Sequence, residues 1–201
     1  MQQQATTKKR AEVRRERLVR AATEQFHRHG VSATALADVA RAAAVPPGNM
    51  FYYFRTKDSL ARAVVDELVE RVEAMLTEIE GRTAAPSERL RTLLDRAAGR
   101  GEAYAALGCP LAGIARDLRQ LDDDPERAGR PLQRLTSWVE KQLSKAGDLA
   151  AKRHAVFVVA ALQGAFVLAH AAADPSIVAE VRRCLDEWLE ASDKPLLAEV
   201  R

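Results

Sequence analysis

Only two cysteines occur in 201 residues, Cys109 and Cys184, and they make neither a Cys-x-x-Cys pair nor the spaced set of a secreted disulfide framework. That usage fits a reducing cytosol, and the chain is expected to be cytoplasmic. Aromatic residues are 5% of the chain, no window alternates apolar and polar residues with period two, and hairpin signals are missing, which excludes a β-rich fold. Histidines are few: His27, His29, His154 and His170 have no partners at metal-ligand or triad spacing. With no Gly-rich phosphate loop and no paired carboxylates in an apolar context, the chain is expected not to be an enzyme and to need no cofactor or metal. The first residues, with no apolar run behind Lys8, Lys9 and Arg10, do not read as a signal peptide but as a mobile basic arm. Ala155 to Ala173 is the most hydrophobic stretch, yet Gln163, Gly164 and His170 interrupt it, so a buried bundle helix explains it better than a membrane span.

What is present is Ala, Leu, Arg and Glu at helical spacing, with 47% hydrophobic residues to fill a core. The spacing predicts an all-α protein of about nine helices. Charge is unevenly spread: residues 1–62 hold 12 Lys and Arg against 5 Asp and Glu, and the remainder 19 against 23. A basic module of about +7 joined to a mildly acidic partner of about −4 suits phosphate binding at the N-terminal end.

Helix one, about 9 to 28, carries Val19, Ala22 and Phe26 on one stripe and ends at His29-Gly30. Thr34 is expected to cap helix two, with Leu36, Val39, Ala40 and Ala43 inward; Pro46-Pro47-Gly48 stops it and opens helix three, about Gly48 to Phe54. That helix keeps Met50 and Phe54 for the core and shows Asn49, Tyr52 and Tyr53 outward, as a recognition helix for a DNA major groove would. Helix four, from near Lys57 to Gly81, is a rod linking two lobes. Helix five, opened by Pro86, weakens around Gly99-Arg100-Gly101. Further helices start at Pro110, after the acidic break Asp122-Asp123-Asp124-Pro125, near 150 and at Pro175-Ser176.

The stretch Arg14-Arg15-Glu16-Arg17-Leu18-Val19-Arg20-Ala21-Ala22, through Phe26 and Gly30, to Gly48-Asn49-Met50-Phe51-Tyr52-Tyr53-Phe54-Arg55-Thr56-Lys57-Asp58-Ser59-Leu60 resembles the DNA-binding domain of the TetR family of transcriptional regulators. More weakly, Gly108-Cys109-Pro110-Leu111-Ala112-Gly113-Ile114-Ala115-Arg116-Asp117-Leu118 and Leu162-Gln163-Gly164-Ala165 resemble segments of one TetR subgroup's ligand-binding domain. The resemblance implies a DNA-binding domain over residues 1–56, with its arm, and an effector-binding and dimerisation domain over 57–201. It also implies backbone contact for Lys57. Two departures matter: Phe51 lacks the hydroxyl of the usual tyrosine, and Tyr53 stands where many members have histidine.

For DNA the candidates are therefore Arg14, Thr34, Ala35, Gly48, Asn49, Tyr52, Tyr53 and Lys57, with Asn49 suited to adenine and Gly48 to close backbone approach. A recognition helix this short needs a two-fold symmetric operator and a homodimer, for which Leu162, Val181, Leu185 and Trp188 are candidates. A small effector, apolar or aromatic because few charges fall on the inner faces, would meet Leu94, Tyr104, Leu111, Trp138, Phe157, Gln163 and Phe166. The expected function is a ligand-responsive repressor that releases its operator. Two other readings stand beside it: a thiol-based redox regulator using Cys109 at a helix N-terminus, and a helical interaction module without DNA binding.

Overall fold

The computed structural model describes residues 2–120 and 125–193, with side chains over 10–120 and 126–191. The acidic break at Asp122-Asp123-Asp124 and the side chains of Lys8 and Lys9 lie outside the described residues. Among the described residues there are ten α-helices and no strand: α1 Gln2–His29, α2 Leu36–Ala42, α3 Pro47–Tyr53, α4 Lys57–Arg82, α5 Pro86–Ala98, α6 Gly101–Leu107, α7 Pro110–Leu118, α8 Pro125–Lys145, α9 Ala151–Ala172 and α10 Ser176–Asp193. The all-α expectation holds, with the weak point at Gly99-Arg100 ending α5 outright and making α6 a separate helix. Gly81 does not stop α4, which includes it, and the expected N-terminal arm continues α1.

The chain packs as two compact units, Met1–Arg71 with Pro110–Pro131, and Val72–Cys109 with Leu132–Arg201. In the first, α1 supplies Leu18, Val19, Ala22 and Phe26 to a core shared with Val39 and Ala40 of α2, Met50 and Phe54 around α3, and Leu60, Val64 and Leu68 of α4. Ile114 and Leu118 of α7 join the same core. α1 ends where Gly30 turns left-handed at φ +83° and its amide donates to the Phe26 carbonyl (2.9 Å), a closure that glycine adopts without steric cost. Thr34 does not cap α2. It is buried, its hydroxyl donating to the Gly30 carbonyl (2.8 Å), and Ala35 takes the cap position instead. The tight turn between α2 and α3 puts Ala44 at φ +52°, and Pro47 then starts α3 with a φ already suited to a helix. α4 opens on a reciprocal cap: the Ser59 amide donates to Thr56 Oγ1 (3.0 Å), and the Thr56 amide to Ser59 Oγ (3.3 Å).

The second unit buries Leu76 and Ile79 of α4 and Leu90 and Leu94 of α5. From the later helices it buries Leu135, Trp138 and Val139 of α8, Leu162 and Phe166 of α9, and Leu185 and Leu189 of α10. A polar knot is sealed among them: the Trp138 indole N–H donates to Glu80 (2.9 Å), and fully buried Gln142 donates to the same oxygen (3.4 Å) while accepting from Arg89 (3.3 Å). Buried polar groups persist where they find partners, and this one ties α4, α5 and α8 together. α6 lies on α9, with the Tyr104 ring stacked on Phe166 (3.8 Å, 26°) and His170 Nδ1 donating to the Ala105 carbonyl (2.9 Å).

Candidate nucleic-acid interface

α3 owes its pose to Met50 and Phe54, 1% and 3% exposed, which anchor one face while the opposite face stays in solvent. On that outer face stand Asn49, Phe51 and Tyr52, the last 80% exposed. Tyr53 is half-buried against the core, its ring edge-on to Tyr52 at 5.1 Å, so it braces the exposed ring more than it projects. Beyond its chain neighbours and the backbone of its own helix, Gly48 has no atom within 4 Å of where a Cβ would be, leaving the first turn of α3 open to outside contact. Arg14 and Ala35 are exposed, whereas the Thr34 side chain is turned inward. Arg15 lies over the Phe54 ring at 5.3 Å, a cation–π contact that joins the basic face of α1 to the end of α3.

Lys57 is partly buried and its ammonium donates to the carbonyls of Val31 (3.1 Å) and Ser32 (2.8 Å). An ammonium has three donors, so one direction remains for an external acceptor. The same turn is held from another side by Asp117 of α7, whose Oδ2 accepts from the Val31 amide (3.2 Å). Asp117 lies in the segment that resembles a TetR subgroup, but nothing in the sequence singled it out for this contact.

The seven effector candidates divide by position. Leu94, Trp138 and Phe166 are buried in the second unit, and Tyr104 is partly buried on Phe166. Burial pushes the Tyr104 phenol above its usual range, nearby Cys109 adds to the shift, and Arg100 opposes it. Leu111 packs against the core of the first unit. Phe157 does not point inward: it is 48% exposed, with its ring against Trp188 at 5.5 Å. Gln163 has its Oε1 buried with no hydrogen-bond partner among the described residues.

Of the dimerisation candidates, Leu162 and Leu185 are each 2% exposed and belong to the protomer's own core, while Val181 and Trp188 are partly exposed. Apolar surface instead lies on the outer face of α9, where Val156, Val167 and Leu168, none of them among the dimerisation candidates, join Phe157 in solvent beside exposed Ala160 and Gly164. A helix apolar on every side was the legible sign of it. By length and composition α9 would also suffice to cross a membrane, and its inner face is packed in the second unit. Both cysteines are thiols; Cys109 precedes α7 partly buried, and Cys184 is exposed on α10 rather than in an apolar interior.

Residues 18–64 match the family model of bacterial regulatory proteins, tetR family. An HTH-type transcriptional regulator from the lacX 3' region of Lactococcus lactis subsp. lactis is 25% identical over 82% of this chain and 87% of its own length. The HTH-type transcriptional repressor DhaR of Mycobacterium sp. (strain GP1) is 26% identical over 76% of this chain and 80% of its own. A TetR transcriptional regulator of Chloroflexus aurantiacus superposes with a TM-score of 0.78 at 21% identity, covering 90% of this chain and 96% of the other. Residues 18–64 are thus a tetR-family DNA-binding segment, and the chain carries it on the fold of TetR regulators.

Proposed function

We propose that the chain is a cytoplasmic transcriptional repressor that grips a two-fold symmetric operator as a homodimer and releases it when a small apolar or aromatic molecule binds within residues 57–201. The observation that carries the DNA reading is the exposed set Asn49, Phe51 and Tyr52 on a helix whose opposite face is locked in a core. Asn49 and Tyr52 read base edges; Gly48 lets the backbone approach; Arg14, Tyr53, Lys57 and the chain at Ala35 meet phosphates. Thr34 contributes through the turn it closes, its hydroxyl being spent on Gly30. The mycobacterial relative is named a repressor, which favours repression here. The resemblance of the segment Gly108-Cys109-Pro110-Leu111 supports a place in one subgroup of the family.

Gln163 supports the effector. A buried acceptor without a partner is costly, and a ligand bearing one N–H or O–H on an apolar body would satisfy it beside Phe166. The exposed apolar face of α9 supports the homodimer, since it groups four large apolar side chains in solvent on one helix. Duplex binding measured across a salt series tests the central reading. Affinity should fall steeply with salt, as expected when about +7 of charge meets phosphates, and footprints should be two-fold symmetric. Binding indifferent to salt, or confined to single strands, overturns it.

A further inference from the structure

Val31 links α1 to α2, and its two backbone groups are held by side chains of opposite charge from different helices. Its carbonyl accepts from Lys57 at the start of α4 (3.1 Å), and its amide donates to Asp117 Oδ2 of α7 (3.2 Å). The neighbours close the same turn. Lys57 also donates to the Ser32 carbonyl (2.8 Å), Thr34 to the Gly30 carbonyl (2.8 Å), and the other Asp117 oxygen accepts from Arg116 Nε (3.2 Å) and Nη2 (3.1 Å). The Val31 side chain is fully buried, so the turn cannot shift without dragging the core. Even a methyl group on Gly30 would come within 3.1 Å of Asp117 Oδ2. The carboxylate thus sits directly on the turn that aims α2 and α3.

Asp117 is an unlikely residue for this place if charge alone mattered, because a carboxylate in a basic DNA-binding unit repels phosphate. We infer that Asp117, far outside the helix-turn-helix in sequence, is a positioning residue for DNA recognition: by holding the Val31 amide it fixes the turn from which the recognition helix is presented. The inference rests on the DNA-binding reading above and adds to it a point of control. α7 begins at Pro110, the residue after Cys109, where the chain leaves the second unit and enters the first. Any event that displaces α7 therefore reaches Val31 through Asp117 within eight residues of chain.

Sign separates this role from a field effect. Asp117→Ala removes a negative charge, which by itself tightens DNA binding; loss of positioning weakens it. Asp117→Asn removes the same charge but keeps an oxygen to accept from Val31. We expect Asp117→Ala to lose on the order of 10-fold in duplex affinity, the size of one hydrogen bond, with the slope of log affinity against log salt unchanged because no phosphate contact is lost. Asp117→Asn should bind at least as tightly as wild type. Amide hydrogen exchange, read without DNA, reports the contact itself: the Val31 amide should exchange slowly in wild type and in Asp117→Asn, and at least about 10-fold faster in Asp117→Ala. Tighter binding by Asp117→Ala, or an Asn variant as weak as Ala, overturns the positioning role. Fast exchange of Val31 in the wild type overturns it without any variant. A wild type that protects Val31 yet binds no duplex sinks the DNA reading and with it the positioning role, while leaving the contact itself established.

Discussion

The Lys57 ammonium lies 2.8 Å from the Ser32 carbonyl and 3.1 Å from that of Val31, so the lysine proposed to meet phosphate at the start of α4 is also a strut of the turn before α2. Its replacement should act twice. Lys57→Ala should weaken binding to operator and random duplex alike and lower the melting temperature, whereas Asn49→Ala should cost about 1–3 kcal/mol on the operator only and leave stability unchanged. Titrating both variants on both duplexes, beside thermal melts, checks this. Equal losses by the two variants on both DNAs would remove Asn49 from base reading.

How much of this was legible follows from what sequence spacing encodes. The helices, the Met50 and Phe54 anchors and the outward Asn49 and Tyr52 were readable because period and residue type fix which face of a helix is buried. Thr34 was misread because a threonine before a helix is a good cap in isolation, and only the fold shows that the Gly30 carbonyl claims its hydroxyl. Leu162 and Leu185 are as apolar as Val167 and Leu168, so composition alone could not say which pair faces the core. Asp117 meets Val31 across 86 residues of chain, a pairing that no local pattern announces.

Ala44 holds a left-handed conformation, φ +52°, in the turn of the helix-turn-helix. A Cβ there costs about 1 kcal/mol that glycine avoids. Ala44→Gly should therefore leave stability unchanged or raise it by up to about 1 kcal/mol, against the usual loss when glycine replaces alanine in a helix. Denaturant midpoints decide it, and a loss of more than that amount would mean the Ala44 methyl packs usefully.

Trp138 donates its indole N–H to Glu80 inside a sealed polar knot, a structural duty distinct from touching an effector. Trp138→Phe keeps the apolar body and drops the donor, so it should cost about 1 kcal/mol in urea unfolding, with Gln142 still serving Glu80. An unchanged stability with weakened effector response would reassign the ring to the ligand.

Burial raises the pKa of Tyr104, with Cys109 adding and Arg100 opposing. The phenol is neutral when protonated, so the native state holds this proton more tightly than the unfolded chain does. Stability from this group is full below the ordinary tyrosine value of about 10 and is lost as pH rises from there through the native value. In an alkaline absorbance titration, Tyr104→Phe should remove a transition lying above the ordinary tyrosine range and flatten the decline in stability. A wild-type titration with no transition above that range would contradict the buried phenol.

The outer face of α9 offers the most direct test of assembly. Val156, Val167 and Leu168 are each more than half exposed, at 58%, 62% and 57%, so an arginine at any of them is tolerated by the protomer's own core. Leu185→Arg gives no such clean answer, because Leu185 is 2% exposed and its replacement would unfold the second unit. If a second copy covers α9, Val167→Arg should yield a folded monomer by sedimentation, because an arginine buried at an apolar contact lacks a partner. The same variant should bind a full operator only as weakly as a half-site, since one recognition helix reads too few base pairs alone. A Val167→Arg protein that stays dimeric and keeps full operator affinity would move the contact off α9, with the partly exposed Val181 and Trp188 of α10 as the next positions to vary.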